Sequence, residues 1–338
     1  MFTALLGAGA NIHYVNGYGR TAAIEAAARG HTDIVTALLG AGANIEHVDR
    51  DGNTAVMKAA GCGHTAIVTA LLGAGANIDH ANNYGWTAVT SAAVEGHTDM
   101  VTALLGAGAN IEPADNDGDR AVMGAAAKGH TAIVTALLGA GANTEYVCND
   151  GDTAVIAAAR YGHTAIVTAL LGAGANIEHA NVICETPVTL AASFGHTETV
   201  TVLLCAGPNL EHANLNGSTA VMQAAGNGHT DTVTALLDAG ANIEHADVNG
   251  MTALMHAASS GHTSCVMKLL AAGASAEESR SNNGRTVLVW AADGGHASIV
   301  TELLNKIKAW HPEDVQTAYQ AAVDRALEIT INDGYRES

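Results

Sequence analysis

Histidine and carboxylate are the residue types in this chain that could amount to catalysis or metal binding, and both recur periodically. Nine of the 17 histidines follow a glycine, from Gly30-His31, Gly63-His64 and Gly96-His97 to Gly261-His262 and Gly295-His296. A second row joins an acid to a histidine at Glu46-His47, Asp79-His80, Glu178-His179, Glu211-His212 and Glu244-His245, with Pro113 and Tyr146 interrupting it. Imidazole and carboxylate are good zinc ligands. Yet a zinc ion needs its ligands at ~2 Å, whereas adjacent packed helices stand ~8–10 Å apart, so one rung does not share an ion with the next. A histidine acting as general base needs a nucleophile or a water held beside it in a cleft, and nothing near these supplies one. Gly73-Ala74-Gly75 and its copies begin like a dinucleotide loop, but they lack the third glycine and follow a helical stretch where a strand is required. No GxSxG or GxxxxGK[ST] run occurs. No catalytic residue, no metal site and no cofactor are expected, and both histidine rows read as structural edges copied with the unit.

The element that positions these residues is a repeat. The Gly-His pairs recur every 33 residues up to Gly261-His262, and the last comes one residue late because Ser281-Asn282-Asn283 carries an insertion. A fixed period of this size means stacked units, each touching only its neighbours, and not a domain with one closed core. In the unit from Gly52 to Asn82, Thr54 stands where a helix N-cap belongs, ahead of Ala55-Val56-Met57-Lys58-Ala59-Ala60. Gly63 ends this short helix in the left-handed conformation that glycine adopts most easily. A second helix follows His64, with Thr65 as a candidate cap, and it places Ile67, Val68, Leu71 and Leu72 on one side. A loop then projects around Gly85. Two antiparallel helices and a finger result, with an apolar side that only stacking buries.

The run Gly52-Asn53-Thr54-Ala55-Val56-Met57-Lys58-Ala59-Ala60, followed by Gly63-His64, Leu71-Leu72 and Gly75-Ala76-Asn77-Ile78, resembles the ankyrin repeat. The family pattern is Thr-Pro-Leu-His-x-Ala-Ala, Gly-His and Leu-Leu-x-x-Gly-Ala-Asp. The resemblance implies an all-α repeat solenoid of ankyrin-type helix-turn-helix units with projecting β-hairpin or loop fingers, over residues 1–305. Departures recur. Alanine replaces the family proline except at Pro187, and the family histidine becomes Met57, Thr90, Met123, Ile156, Thr189, Met222 or Met255, which implies looser turns. Arg120 replaces one capping threonine, at a cost of about 1 kcal/mol.

Composition narrows the partners. A net charge of −19 argues against nucleic acid as a ligand, because phosphate backbones are bound by clustered Lys and Arg. No apolar run reaches bilayer length, so no membrane association is expected. Five scattered cysteines without a CxxC pair, and no signal peptide, point to free thiols and a cytoplasmic location.

Both ends depart from the unit. Met1-Phe2 align with Ile34-Val35, so the first unit is truncated and its exposed face invites self-association, or else the chain is a fragment. At the other end, Pro312-Glu313-Asp314 opens a helix correctly, with Val315, Tyr319, Ala322 or Val323, and Ala326 at helical spacing. Residues 306–338 are read as a C-terminal capping helix and tail.

With the frame copied, information sits where copies diverge, at the fingertips. The early tips mix aromatic and basic residues: Tyr18 and Arg20, Arg50 and Asp51, Tyr84 and Trp86. The middle is acidic, with Asp117 and Asp119, then Asp150 and Asp152. The later tips are apolar, with Val182 and Ile183, Leu215, Val248 and Met251. In the ankyrin family the fingers and first helices commonly contact other proteins, so the resemblance implies a non-enzymatic protein–protein interaction scaffold or adaptor. Its partner would be an unidentified protein, with a basic segment meeting the acidic middle and apolar tips as flanking anchors. The alternative is a targeting array within a larger enzyme, channel or ubiquitin-ligase adaptor; a third reading is an elastic spacer.

Overall fold

The structure, a computed structural model, describes residues 8–277, 279–306, 311–322 and 324. Met1 and Phe2, on which the truncated first unit and its self-associating face rest, lie outside them, as do Val323 and the tail after residue 324.

The unit built on Thr54 shows why the chain folds this way. Thr54 has extended backbone angles, and its Oγ1 accepts from the Met57 amide at 3.4 Å, opening the helix Ala55–Gly61. The bond is long, as it is at Thr21, Thr87 and Thr186, so each cap contributes at the low end of the usual range. Gly63 then takes φ +75°, and a β-carbon there would lie 2.9 Å from the His97 ring of the next unit. Glycine is therefore required twice over, for the turn and for the neighbour. The second helix runs Thr65–Gly73; its cap position is His64, not Thr65, and carries no side-chain cap bond. Gly75, at φ +91°, closes it, while the Ala76 amide bonds back to the Leu71 carbonyl at 3.1 Å.

Ala59, Ala60, Ile67, Val68 and Leu71 are buried, and the same positions are buried in the following units except at Val300 of the last, which is half-buried. Small alanines let neighbouring first helices approach more closely than neighbouring second helices do. Met57, Met123, Ile156, Met222 and Met255 fill the family's histidine position as buried apolar side chains. Thr90 and Thr189 fill it with hydroxyls, and Thr186 and Thr189 form a complete capping box. In the units carrying Met57 and Met123 at that position, the bond closing the loop is 3.0 Å from Asp49 to Asn53 and 2.9 Å from Asp115 to Asp119. Arg120 does leave its helix without a side-chain cap. It lies instead 3.4 Å over the Tyr146 ring and 3.5 Å from Glu112, so Arg120 and Tyr146, two departures read separately in the sequence, are partners.

Among the described residues the helices form nine such pairs, with no strand. The fingers are loops, not hairpins. Asp49 Oδ1 accepts from the amides of Asp51 and Asn53 at 3.1 and 2.9 Å, which curls the tip. Neighbouring tips then share one backbone bond, as from the Asn83 amide to the Asp51 carbonyl at 3.0 Å, and a single bond makes no ladder.

The chain divides into two compact units, residues 1–158 with 168–176, and residues 159–167 with 177–338. In the second, the offset of the last repeat is corrected. Ser281 donates to Arg285, and Asn282 to Asn249, as Asp247 donates to Met251 and Val248 to Asn216. The Ser281-Asn282-Asn283 tip is therefore regular and carries no insertion; the extra residue precedes it, after Ser275, whose amide still bonds to Glu244 as Asn242 does to Glu211. A helix occupies 312–322, but its buried face is Asp314 and Ala318, while Val315 and Tyr319 are exposed. Arg280 grips Asp314 with two nitrogens, at 2.8 and 2.9 Å, and so sets the helix rotation that apolar spacing alone assigned differently.

Candidate functional site

Both histidine rows are stitches between units. His47 and His80 in the first compact unit, and His212 in the second, bond through Nε2 to the carbonyl of the preceding finger's turn residue, at 2.8 to 3.0 Å. The acid beside them accepts the amide of the next unit's loop, as Glu46 does from Asn77 at 2.8 Å and Glu211 from Asn242 at 2.8 Å. The Gly-His histidines reach back to the end of the preceding first helix: His97 to Gly61 at 3.1 Å, His130 to Val94 at 3.0 Å, His229 to Ser193 at 3.1 Å. Among the described residues no three His, Cys, Asp or Glu side chains are grouped to hold a metal ion.

The fingertips divide by position. Residues just before the turn glycine face solvent. Tyr18, Arg50, Asp51, Tyr84, Asp117 and Asp150 are exposed in the first compact unit, and Val182, Ile183, Leu215 and Val248 in the second. Residues just after the turn are drawn inward, because their amide and carbonyl both bond to the residue that opens the loop. Arg20, Trp86, Asp119 and Asp152 are partly buried there. Met251 is buried, at 9% exposure, and is no exposed apolar tip: its amide donates to Asp247 Oδ1 at 2.9 Å, which turns its side chain inward.

These inward residues cross to the next finger's loop-opening residue. Arg20 Nε meets Asp49 Oδ2 at 3.2 Å, Asn53 Oδ1 accepts from Asn82 at 2.9 Å, and Trp86 Nε1 donates to Asp115 Oδ2 at 3.1 Å. Asp49, also 3.5 Å from Lys58, has its carboxyl held below the usual range by bonds and charges that outweigh its burial. The next crossing is different. Asp119 stands where Arg20 and Trp86 donate, and Cys148 where Asp49 and Asp115 accept. Burial, then the charges of Asp115, Asp117, Asp152 and Asp150, raise the Asp119 carboxyl to about 6. Burial likewise pushes the Cys148 thiol up.

Between these fingers and the first helices of the first compact unit lies a groove of about 710 Å³. Tyr84 and Trp86 form its aromatic wall; Asp51, Glu95, Asp115 and Asp117 supply four carboxylates against the one ammonium of Lys58. Tyr84 is 57% exposed. Sequence reasoning identified the aromatic tips and two of these acids but missed Glu95 and Asp115. Glu95 ends a first helix, and Asp115 looks like an ordinary turn residue. The available signal was the tryptophan just after the turn, whose indole requires an acceptor when partly buried.

Stacked helix pairs joined by looped fingers define an all-helical repeat solenoid. A family model for ankyrin repeats matches residues 1–82, 24–115, 108–181, 177–247 and 242–314, and the chain belongs to the ankyrin repeat family. A solved structure of the human ASB11 ankyrin repeat domain is similar, with a TM-score of 0.60 and 27% identity over 65% of this chain and 97% of that one. No curated protein matches the chain. Ankyrin repeats are in general protein–protein interaction modules, typically non-catalytic. Among the described residues no helix is long and apolar enough to cross a membrane.

Proposed function

We propose that this chain is a non-enzymatic scaffold that binds a partner protein through its exposed fingertips and the adjoining first-helix face. The observation that carries this reading is the division between a copied frame and a varied rim. Ala59, Ala60 and Leu71 and their copies are buried and invariant between units, whereas the exposed tips run from Arg50 and Tyr84 to Asp117, Ile183 and Leu215. A rim pre-organised by stacking costs little ordering entropy when it binds. Acidic tips in the first compact unit suit a basic partner segment. The aliphatic tips of the second suit apolar anchors, since exposed apolar groups otherwise carry an aggregation cost.

The test is affinity capture with two baits, the chain itself and a variant with Tyr84, Ile183, Leu215 and Val248 changed to serine. All four are exposed, so the frame survives. A partner lost only by the variant supports a fingertip surface; identical captures refute it. Four partly or fully accessible thiols, Cys62, Cys148, Cys184 and Cys205, support a reducing, cytoplasmic setting. The bidentate hold of Arg280 on Asp314 supports helix 312–322 as the cap of the array's last repeat.

A further inference from the structure

The groove beside Trp86 has the parts of an arginine site and lacks only the arginine. Elsewhere the chain builds the complete arrangement three times. Arg20 lies 5.6 Å from the Tyr18 ring with Asp49 at 3.2 Å. Arg120 lies 3.4 Å from the Tyr146 ring with Glu112 at 3.5 Å. In the second compact unit, Arg285 lies 5.1 Å from the Trp290 ring with Asp293 at 2.7 Å. Each joins an aromatic face, a guanidinium and a carboxylate. Tyr84 and Trp86 offer the faces, and Asp51, Glu95 and Asp117 the exposed carboxylates, but among the described residues no cation lies over either ring. Lys58, the cation lining the groove, is held 3.5 Å from Asp49.

We propose that this groove is the docking site for an extended, arginine-bearing segment of a partner protein, one guanidinium lying against Tyr84 and Trp86 and facing the Asp51, Glu95 and Asp117 carboxylates. The proposal rests on the interaction reading above and names the chemistry of its partner. Charge complementarity selects a basic segment, since four carboxylates outnumber one engaged ammonium. The aromatic wall selects arginine over lysine, because a planar guanidinium stacks on an indole while still pairing with a carboxylate. The indole is also fixed in place: Asp115, itself bonded to the amides of Asp117 and Asp119, holds Trp86 Nε1. A guest therefore meets a preformed wall.

The experiment is titration calorimetry of the full chain with nine-residue glycine-serine peptides carrying three arginines, three lysines or three citrullines. The expected result is binding of the arginine peptide, several-fold weaker binding of the lysine peptide and none of the citrulline peptide. Affinity should fall about tenfold in Trp86→Leu and in Tyr84→Ser. The double variant Glu95→Gln with Asp117→Asn should also weaken it, and Glu198→Gln, an exposed carboxylate on a second helix away from the fingers, should leave it unchanged. Tyr84 and Glu95 are exposed, so those variants remain informative if Trp86→Leu is unstable. Equal binding of arginine and lysine peptides, indifferent to Tyr84→Ser, would reduce the groove to a general negative surface and overturn the proposal. No arginine-dependent binding would also overturn it. If fingertip-dependent capture persisted in either case, the scaffold reading would stand and only the occupant would be wrong.

Discussion

Replacing Asp119 by asparagine should stabilise the protein at neutral pH and remove part of its pH dependence. The Asp119 carboxyl is raised from 3.8 to about 6, first by burial and then by four neighbouring aspartates. One pKa unit corresponds to about 1.4 kcal/mol, so a shift of roughly two units is a nominal penalty of about 3 kcal/mol; solvent screening of a partly exposed group reduces it to about 1–2 kcal/mol. The sign follows from proton binding. Between pH 3.8 and about 6 the native state keeps a proton that the unfolded chain has released, so stability falls as pH rises through that window and then levels off. Asparagine cannot ionise, and the chain already contains the favourable arrangement: Asn53, at the same place in its unit, donates to Asp49 Oδ1 at 3.0 Å. Urea unfolding followed by circular dichroism should show Asp119→Asn more stable than the parent by about 1–2 kcal/mol at pH 7, with the gap closing near pH 4. Added salt should narrow the gap only in part, because burial is the larger cause and salt does not screen it. A variant less stable than the parent at pH 7, or a gap independent of pH, would refute the reasoning.

Three further outcomes are expected. Cys184, at φ +58°, occupies the left-handed position that turn glycines hold in other fingers, and the adjoining Leu215–Ile183 bond is long at 3.4 Å. Cys184→Gly should therefore stabilise by about 1 kcal/mol in denaturant titration despite the added freedom of the unfolded chain. Gly63→Ala combines a φ of +75° with a β-carbon 2.9 Å from the His97 ring, and should lower stability by about 1–3 kcal/mol, read as a reduced urea midpoint. Asp314→Asn should weaken the clasp to Arg280 and raise amide hydrogen exchange in helix 312–322, while exchange in the helix pairs up to Gly226 stays as in the parent.

The architecture was legible in the sequence because it rests on local rules repeated many times. Thr54 before an alanine run, Gly63 where φ must be positive, and Ile67, Val68 and Leu71 on one helical side each depend on residues close in the chain, and the period made every unit confirm the next. Even the uncapped helix at Arg120 could be read that way. What the sequence left open depended on which residues of adjacent fingers meet. Met251 and Trp86 look alike as apolar residues after a turn, yet one is buried and the other walls a groove, because the bonds to the loop-opening residue aim that position inward and the neighbour decides what it finds. The pairing of Arg120 with Tyr146, the carboxyl of Asp119 raised where Cys148 replaces an acceptor, and the rotation of helix 312–322 by Arg280 are all contacts between units, about one period apart. Hydrophobic spacing within a unit determines its helices; contacts across units determine where charge and aromatic surface collect, and those became visible only when the units were stacked.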